Sequence, residues 1–175
     1  MSINFKAPSH APGRILAAGV VGGLAEIAWV GTYALLAPMH LADIPREIAA
    51  TVLPGTATSA AAPLVGVLIH FALSVVLALL WYSFIGRVLR RARALSTGVI
   101  IGAATGALVV VWAINFLIVL PALNPRFVVL LPVWVTLLSK VLFGMAMGSV
   151  FAAGTRLASR GQVAAKRWIP NYSFS

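Results

Sequence analysis

The sequence predicts an all-α membrane protein: a four-transmembrane-helix bundle with a short interfacial helix in its first outer loop. Three observations lead there. Four apolar runs, at about 15–37, 63–85, 97–120 and 133–155, each supply the ~20 residues that cross a ~30 Å hydrocarbon core as helix. Only 9% of the 175 residues are charged and 61% are hydrophobic, with a mean hydropathy of +1.02, whereas a soluble domain carries about 25% charged residues. The basic residues fall on alternate connections. Lys6 and Arg14 precede the first run, Arg87, Arg90, Arg91 and Arg93 separate the second from the third, and Arg156, Arg160, Lys166 and Arg167 follow the fourth. The other two connections hold only Arg46 and Arg126. This ten-to-two imbalance places both termini of a multi-pass membrane protein in the cytoplasm.

The elements follow in order. Residues 1–13 form a mobile cytoplasmic lead. Run one is too long for a signal-peptide core of 7–15 residues and contains Glu26, so it is a retained span. In the first outer connection, Asp43 or Ile44 caps a helix over about 44–53. Pro45 suits its first turn, Ile44, Ile48 and Val52 share a face, and Pro54-Gly55 ends it. Such a helix lies in the outer interface. Span two starts at Pro63 and brings Trp81 and Tyr82 to the inner headgroup level. Span three ends near Pro121. Span four starts at Val133, or at Phe127 with a kink at Pro132. Residues 158–175 form a basic tail, with Trp168 and Tyr172 as inner anchors.

His70 and Lys140 each sit in a stripe of small residues spaced four apart: Gly66, Ser74 and Ala78 around His70 in span two, and Thr136, Gly144, Gly148 and Ala152 around Lys140 in span four. Positions four apart share a helix face. A shift of 70 matches His70 to Lys140, and a shift of 79 matches Gly19 and Gly23 to Gly98 and Gly102, with Gly106 extending the second ladder. The chain then reads either as two parallel-related hairpins or as ordinary small-residue packing of membrane helices. In both cases Gly19, Gly23, Gly66, Gly98, Gly102, Gly106, Gly144 and Gly148 are expected at helix contacts. Asn115 lies off the Gly106 face.

Glu26, His70 and Lys140 are the ionisable groups expected at depth, each costing ~2.5–3.5 kcal/mol at a helix centre. They are expected to meet in the outer half of the bundle, with Ser74, Asn115 and Thr136 as secondary polar positions. Glu26 and Lys140 form a structural ion pair beside His70, or Glu26 and His70 form a proton or solute site. Much other chemistry is excluded. Without cysteine there are no disulfides, thiolate metal sites or cysteine nucleophiles. Glu26 and His70 alone are too few ligands for a metal. Facing histidines for haem are missing, because His10 and His40 lie outside the spans. Asp43 and Glu47 are accounted for by Arg46 and the helix cap. No nucleotide fingerprint or serine elbow is present. No cofactor is expected, and the basic clusters suit lipid headgroups rather than nucleic acid.

The HFALS segment at 70–74, the glycine-rich start of span three, Pro121 and Pro125, and the W-x-T-L-L-x-K-x-x-F-G segment at 134–144 resemble a small four-span bacterial inner-membrane family. That family is sometimes labelled sodium:proline symporter and is distantly similar to YagU-type proteins. The resemblance implies a four-span fold and no site residues, and true sodium–solute symporters are far larger. Small multidrug-resistance transporters share four spans and a glutamate in span one, but here Lys140 would neutralise it.

Three functions follow. The first is a non-catalytic accessory or structural component, as a homo-oligomer or within a larger membrane complex. The second is a proton-linked transporter or channel for a small solute using Glu26 and His70. The third is a lipid-modifying enzyme combining His70 with Asp43 or Glu47.

Overall fold

A computed structural model describes residues 11–91 and 95–167, with side chains described for 11–85 and 95–154. The described residues are helical and contain no strand. Four helices are long and apolar enough to span a membrane, over Ala11–Leu36, Ala62–Ile85, Thr97–Leu123 and Val133–Gly154. Residues 1–10, the centre of the basic connection at 92–94 and the anchors Trp168 and Tyr172 lie outside the described residues.

Helix α1 (Ala11–Leu36) starts earlier than the sequence suggests, taking in residues expected in the lead. Helix α2 (Asp43–Val52) forms where expected, but neither Asp43 nor Ile44 is its cap. Ala42 occupies that place, and Asp43 Oδ2 instead accepts from the His40 amide at 3.2 Å. A 3₁₀ turn at Pro54–Thr56 ends it. Helix α3 (Ala62–Arg91) has Pro63 in its first turn and continues past the apolar run.

Helix α4 (Thr97–Ile114) is capped by Ser96, whose Oγ accepts from the Val99 amide. It passes through a π-helical turn at Asn115–Val119 into α5 (Leu120–Leu123). Pro121 lacks the N–H that an α-helix would direct at the carbonyl four residues back, and a π turn is a local way to re-register such a ladder. Helix α6 (Pro125–Leu130) is capped by Asn124. Leu131 is extended, as the residue before a proline prefers. Helix α7 therefore starts cleanly at Val133 and runs to Arg167. The basic tail is helical through that point, consistent with its Ala, Arg, Gln and Lys content.

The long helices touch in the order α4, α7, α1, α3, and α2 lies against α3 and α6. An apolar core draws Ala18 from α1, Ala78, Trp81 and Ile85 from α3, Ile100, Ala104 and Leu108 from α4, and Phe143, Met147 and Phe151 from α7. By chain position this core lies toward the basic end. Trp81 belongs to it at 6% exposure, rather than facing the headgroups as its place near the inner end suggests.

Contacts are closest where glycine leaves room. A Cβ on Gly66 would sit 1.7 Å from the Pro45 carbonyl oxygen, so α2 rests directly on α3 there. A Cβ on Gly19 would meet Val75 Cα at 2.7 Å, one on Gly144 would meet Thr105 Cα at 2.5 Å, and one on Gly148 would meet Ile101 Cα at 2.9 Å. Gly98, Gly102 and Gly106 behave otherwise: a Cβ on any of them meets nothing within 4 Å. Contrary to expectation, that ladder lies at no helix contact among the described residues. Helix α4 approaches α7 through Ile101, Ala104 and Thr105, and the room comes from the glycines of α7.

Candidate functional site

The three ionisable positions come from α1, α3 and α7, and the order α7–α1–α3 brings them together. Lys140 Nζ donates to Glu26 Oε1 in a salt bridge whose side chains are 15% and 12% exposed. Ser139 Oγ, buried beside Lys140, also reaches Glu26 Oε1 at 3.2 Å and donates to the Thr136 carbonyl at 2.7 Å. The second carboxylate oxygen, Glu26 Oε2, is buried with no hydrogen-bond partner among the described residues. The Lys140 ammonium lies 5.9 Å from the Phe143 ring centroid, and that ring covers Gly22. Helix α7 thus holds the glutamate with a cation and a hydroxyl, and seats a ring on α1 one turn away.

His70 is placed by glycine on the opposite helix. Its Nε2 donates to the Gly23 carbonyl at 3.3 Å, which fixes the proton on that nitrogen when the ring is neutral. A Cβ at Gly23 would lie 2.8 Å from Ser74 Oγ and 3.3 Å from His70 Nε2. Ser74 is 2% exposed and donates to the His70 carbonyl at 2.8 Å. Gly23 precedes Glu26 by one helical turn, so His70 packs on α1 one turn from the carboxylate. Lys140 pairs with Glu26, while His70 bonds to the Gly23 carbonyl of the same helix.

Of the secondary positions, Ser74 belongs to the cluster and Thr136 sits one turn above Lys140. Thr136 Oγ1 accepts from Trp112 Nε1 at 3.1 Å and donates to the Val133 carbonyl at 2.9 Å. Asn115 starts the π turn of the α4 segment and is no part of the cluster.

Several contributors are not apparent in the sequence. Ser139 is one. Trp112 is another, and so is Trp29, whose Nε1 donates to the Val135 carbonyl at 3.0 Å. Trp134 packs edge-on to Trp29 and Tyr33, with centroids 6.0 and 5.8 Å away. Asn124 is a fourth. Its Nδ2 donates to Glu47 Oε2 at 2.9 Å and to Thr51 Oγ1 at 3.0 Å, tying α2 to the start of α6. Glu47 is thus held by Asn124. Arg46, expected to account for it, forms no ion pair among the described residues.

A groove between α1 and α7 is lined by Ala25, Ala28, Trp29, Thr32, Ala146 and Ser149, and none of the three ionisable groups borders it. Thr32 and Ser149 donate to their own helices' carbonyls, so the groove offers no free hydroxyl proton. No group of three or more His, Cys, Asp or Glu side chains is placed to hold a metal among the described residues. Compared with family models, curated proteins and solved structures, the chain matches none.

Proposed function

We propose that this chain is a non-catalytic, multi-pass component of the bacterial inner membrane, with both termini cytoplasmic and its helices bundled around a structural ion pair. Helix α2 lies in the outer interface, and the protein serves as an accessory or structural subunit. One observation carries this reading: Lys140 and Ser139, adjacent on α7, both engage the same oxygen of Glu26 on α1. Each charge neutralises the other, so neither has to be solvated in hydrocarbon. The pair therefore acts as a latch that sets the register of α1 on α7.

The unpartnered Glu26 Oε2, with His70 nearby, favours a second reading: a proton-linked carrier or channel for a small solute. Proteoliposomes under an imposed pH gradient separate the two. The latch reading expects the same proton and solute flux from the parent and from Glu26→Gln, at or near that of empty vesicles. Flux by the parent that Glu26→Gln abolishes, with the helices intact by circular dichroism, would establish the carrier and remove the accessory role. Co-purification of a stoichiometric larger complex in mild detergent is the positive sign of a subunit.

A further inference from the structure

We propose that Arg14 and Gly154 form a seat for the phosphate of an anionic phospholipid at the basic end of the molecule, an inference that rests on the membrane reading but not on the role of the Glu26–Lys140 pair. Arg14 belongs to α1, near the basic end of that span, and is half-buried. Its side chain lies flat on α7 at Gly154, where an added Cβ would come within 2.3 Å of Arg14 Nε and 2.4 Å of Cζ. Glycine at 154 is what lets the guanidinium reach that place.

Among the described residues the seated cation has no countercharge. It makes no ion pair or hydrogen bond among the described residues. The sequence holds three acidic side chains, and all lie far from Arg14. Glu26 is twelve residues along α1, ~18 Å at 1.5 Å per residue, and engaged by Lys140. Asp43 and Glu47 are on α2, beyond the far end of α1. A guanidinium presents five N–H donors in a planar fork that matches phosphate oxygens. Held at the start of a membrane span, it stands at headgroup level, where the available anion is a lipid phosphate. The surrounding basic positions of the sequence raise the local concentration of such lipids. The Gly154 seat is what distinguishes one site from a diffuse attraction.

The test is native mass spectrometry of the full-length protein released from nanodiscs of equimolar dioleoylphosphatidylglycerol and dioleoylphosphatidylcholine. The parent is expected to retain phosphatidylglycerol preferentially. Arg14→Gln is expected to lower that preference about fivefold, the ratio equivalent to ~1 kcal/mol per basic residue. Gly154→Ala, which leaves the charge unchanged and displaces only the flexible end of Arg14, is expected to do nearly the same. Arg90→Gln, elsewhere in the basic belt, and Arg46→Gln, at the other end, should change it far less. Unaltered preference in Arg14→Gln and Gly154→Ala would overturn the proposal. So would an equal loss in Arg90→Gln, the mark of a diffuse belt, or displacement of the lipid by added inorganic phosphate, the mark of a free-anion site.

Discussion

Two glycine ladders with the same spacing behave in opposite ways. On α1, Gly19 backs onto the α3 backbone, Gly22 lies under the Phe143 ring, and Gly23 makes room for Ser74 and His70. On α4, a Cβ on Gly98, Gly102 or Gly106 would meet nothing within 4 Å among the described residues. The difference is that close approach of two helices needs small residues on only one of them. Between α1 and α3 the small side is α1; between α4 and α7 it is α7, whose Gly144 and Gly148 admit the Thr105 and Ile101 backbone. The repeated spacing marks where backbones can meet, not where they do. It also changes the internal comparison. An offset of 82 rather than 79 carries Gly19, Gly22 and Gly23 onto Ile101, Ala104 and Thr105, the positions of α4 that do face a partner helix.

The contrast can be broken at several points. The largest effect is expected on the α1 face where charge is buried: Glu26→Ala leaves the Lys140 ammonium without its partner and should cost ~3–5 kcal/mol. Reversible unfolding in bicelles followed by circular dichroism reads this. Next come the glycines in contact. Gly19→Leu and Gly144→Leu drive a side chain into opposing backbone and should each cost about 1–3 kcal/mol, with a lower thermal midpoint in the same bicelles. Thr136→Val removes the acceptor of Trp112 Nε1 and should cost about 1 kcal/mol, accompanied by a change in Trp112 emission in a variant retaining only that tryptophan. The smallest effect belongs to the idle ladder. Gly102→Leu should fall within ~0.5 kcal/mol of the parent, and a cost equal to that of Gly19→Leu would erase the distinction between the two faces.

What the sequence reveals follows from how few structures satisfy it. An apolar run of some 20 residues in lipid has to be helix, because every backbone N–H and C=O needs an internal partner. Spans and their order are therefore legible. Charges inside the spans are so few that Glu26 and Lys140 have little choice but each other, whereas the seat of His70 on the Gly23 carbonyl depends on how α3 packs on α1. Ser139 is not legible, because its hydroxyl can be satisfied by its own helix and nothing demands a second acceptor. Neither is the Asn124 bridge to Glu47, which joins residues 77 apart and depends on how α2 settles on α3. Pro121 reads in the sequence as the end of the third span, whereas a π turn at Asn115–Val119 carries the helix on to Leu123.

The central claim is that Glu26 and Lys140 are turned toward one another and join α1 to α7. A double-mutant cycle of Glu26→Gln and Lys140→Met, measured as unfolding free energy in bicelles, tests it most directly. Each single substitution is expected to destabilise strongly, and the double variant to recover about 2 kcal/mol or more relative to the sum. Additive losses, with no recovery in the double variant, would contradict it.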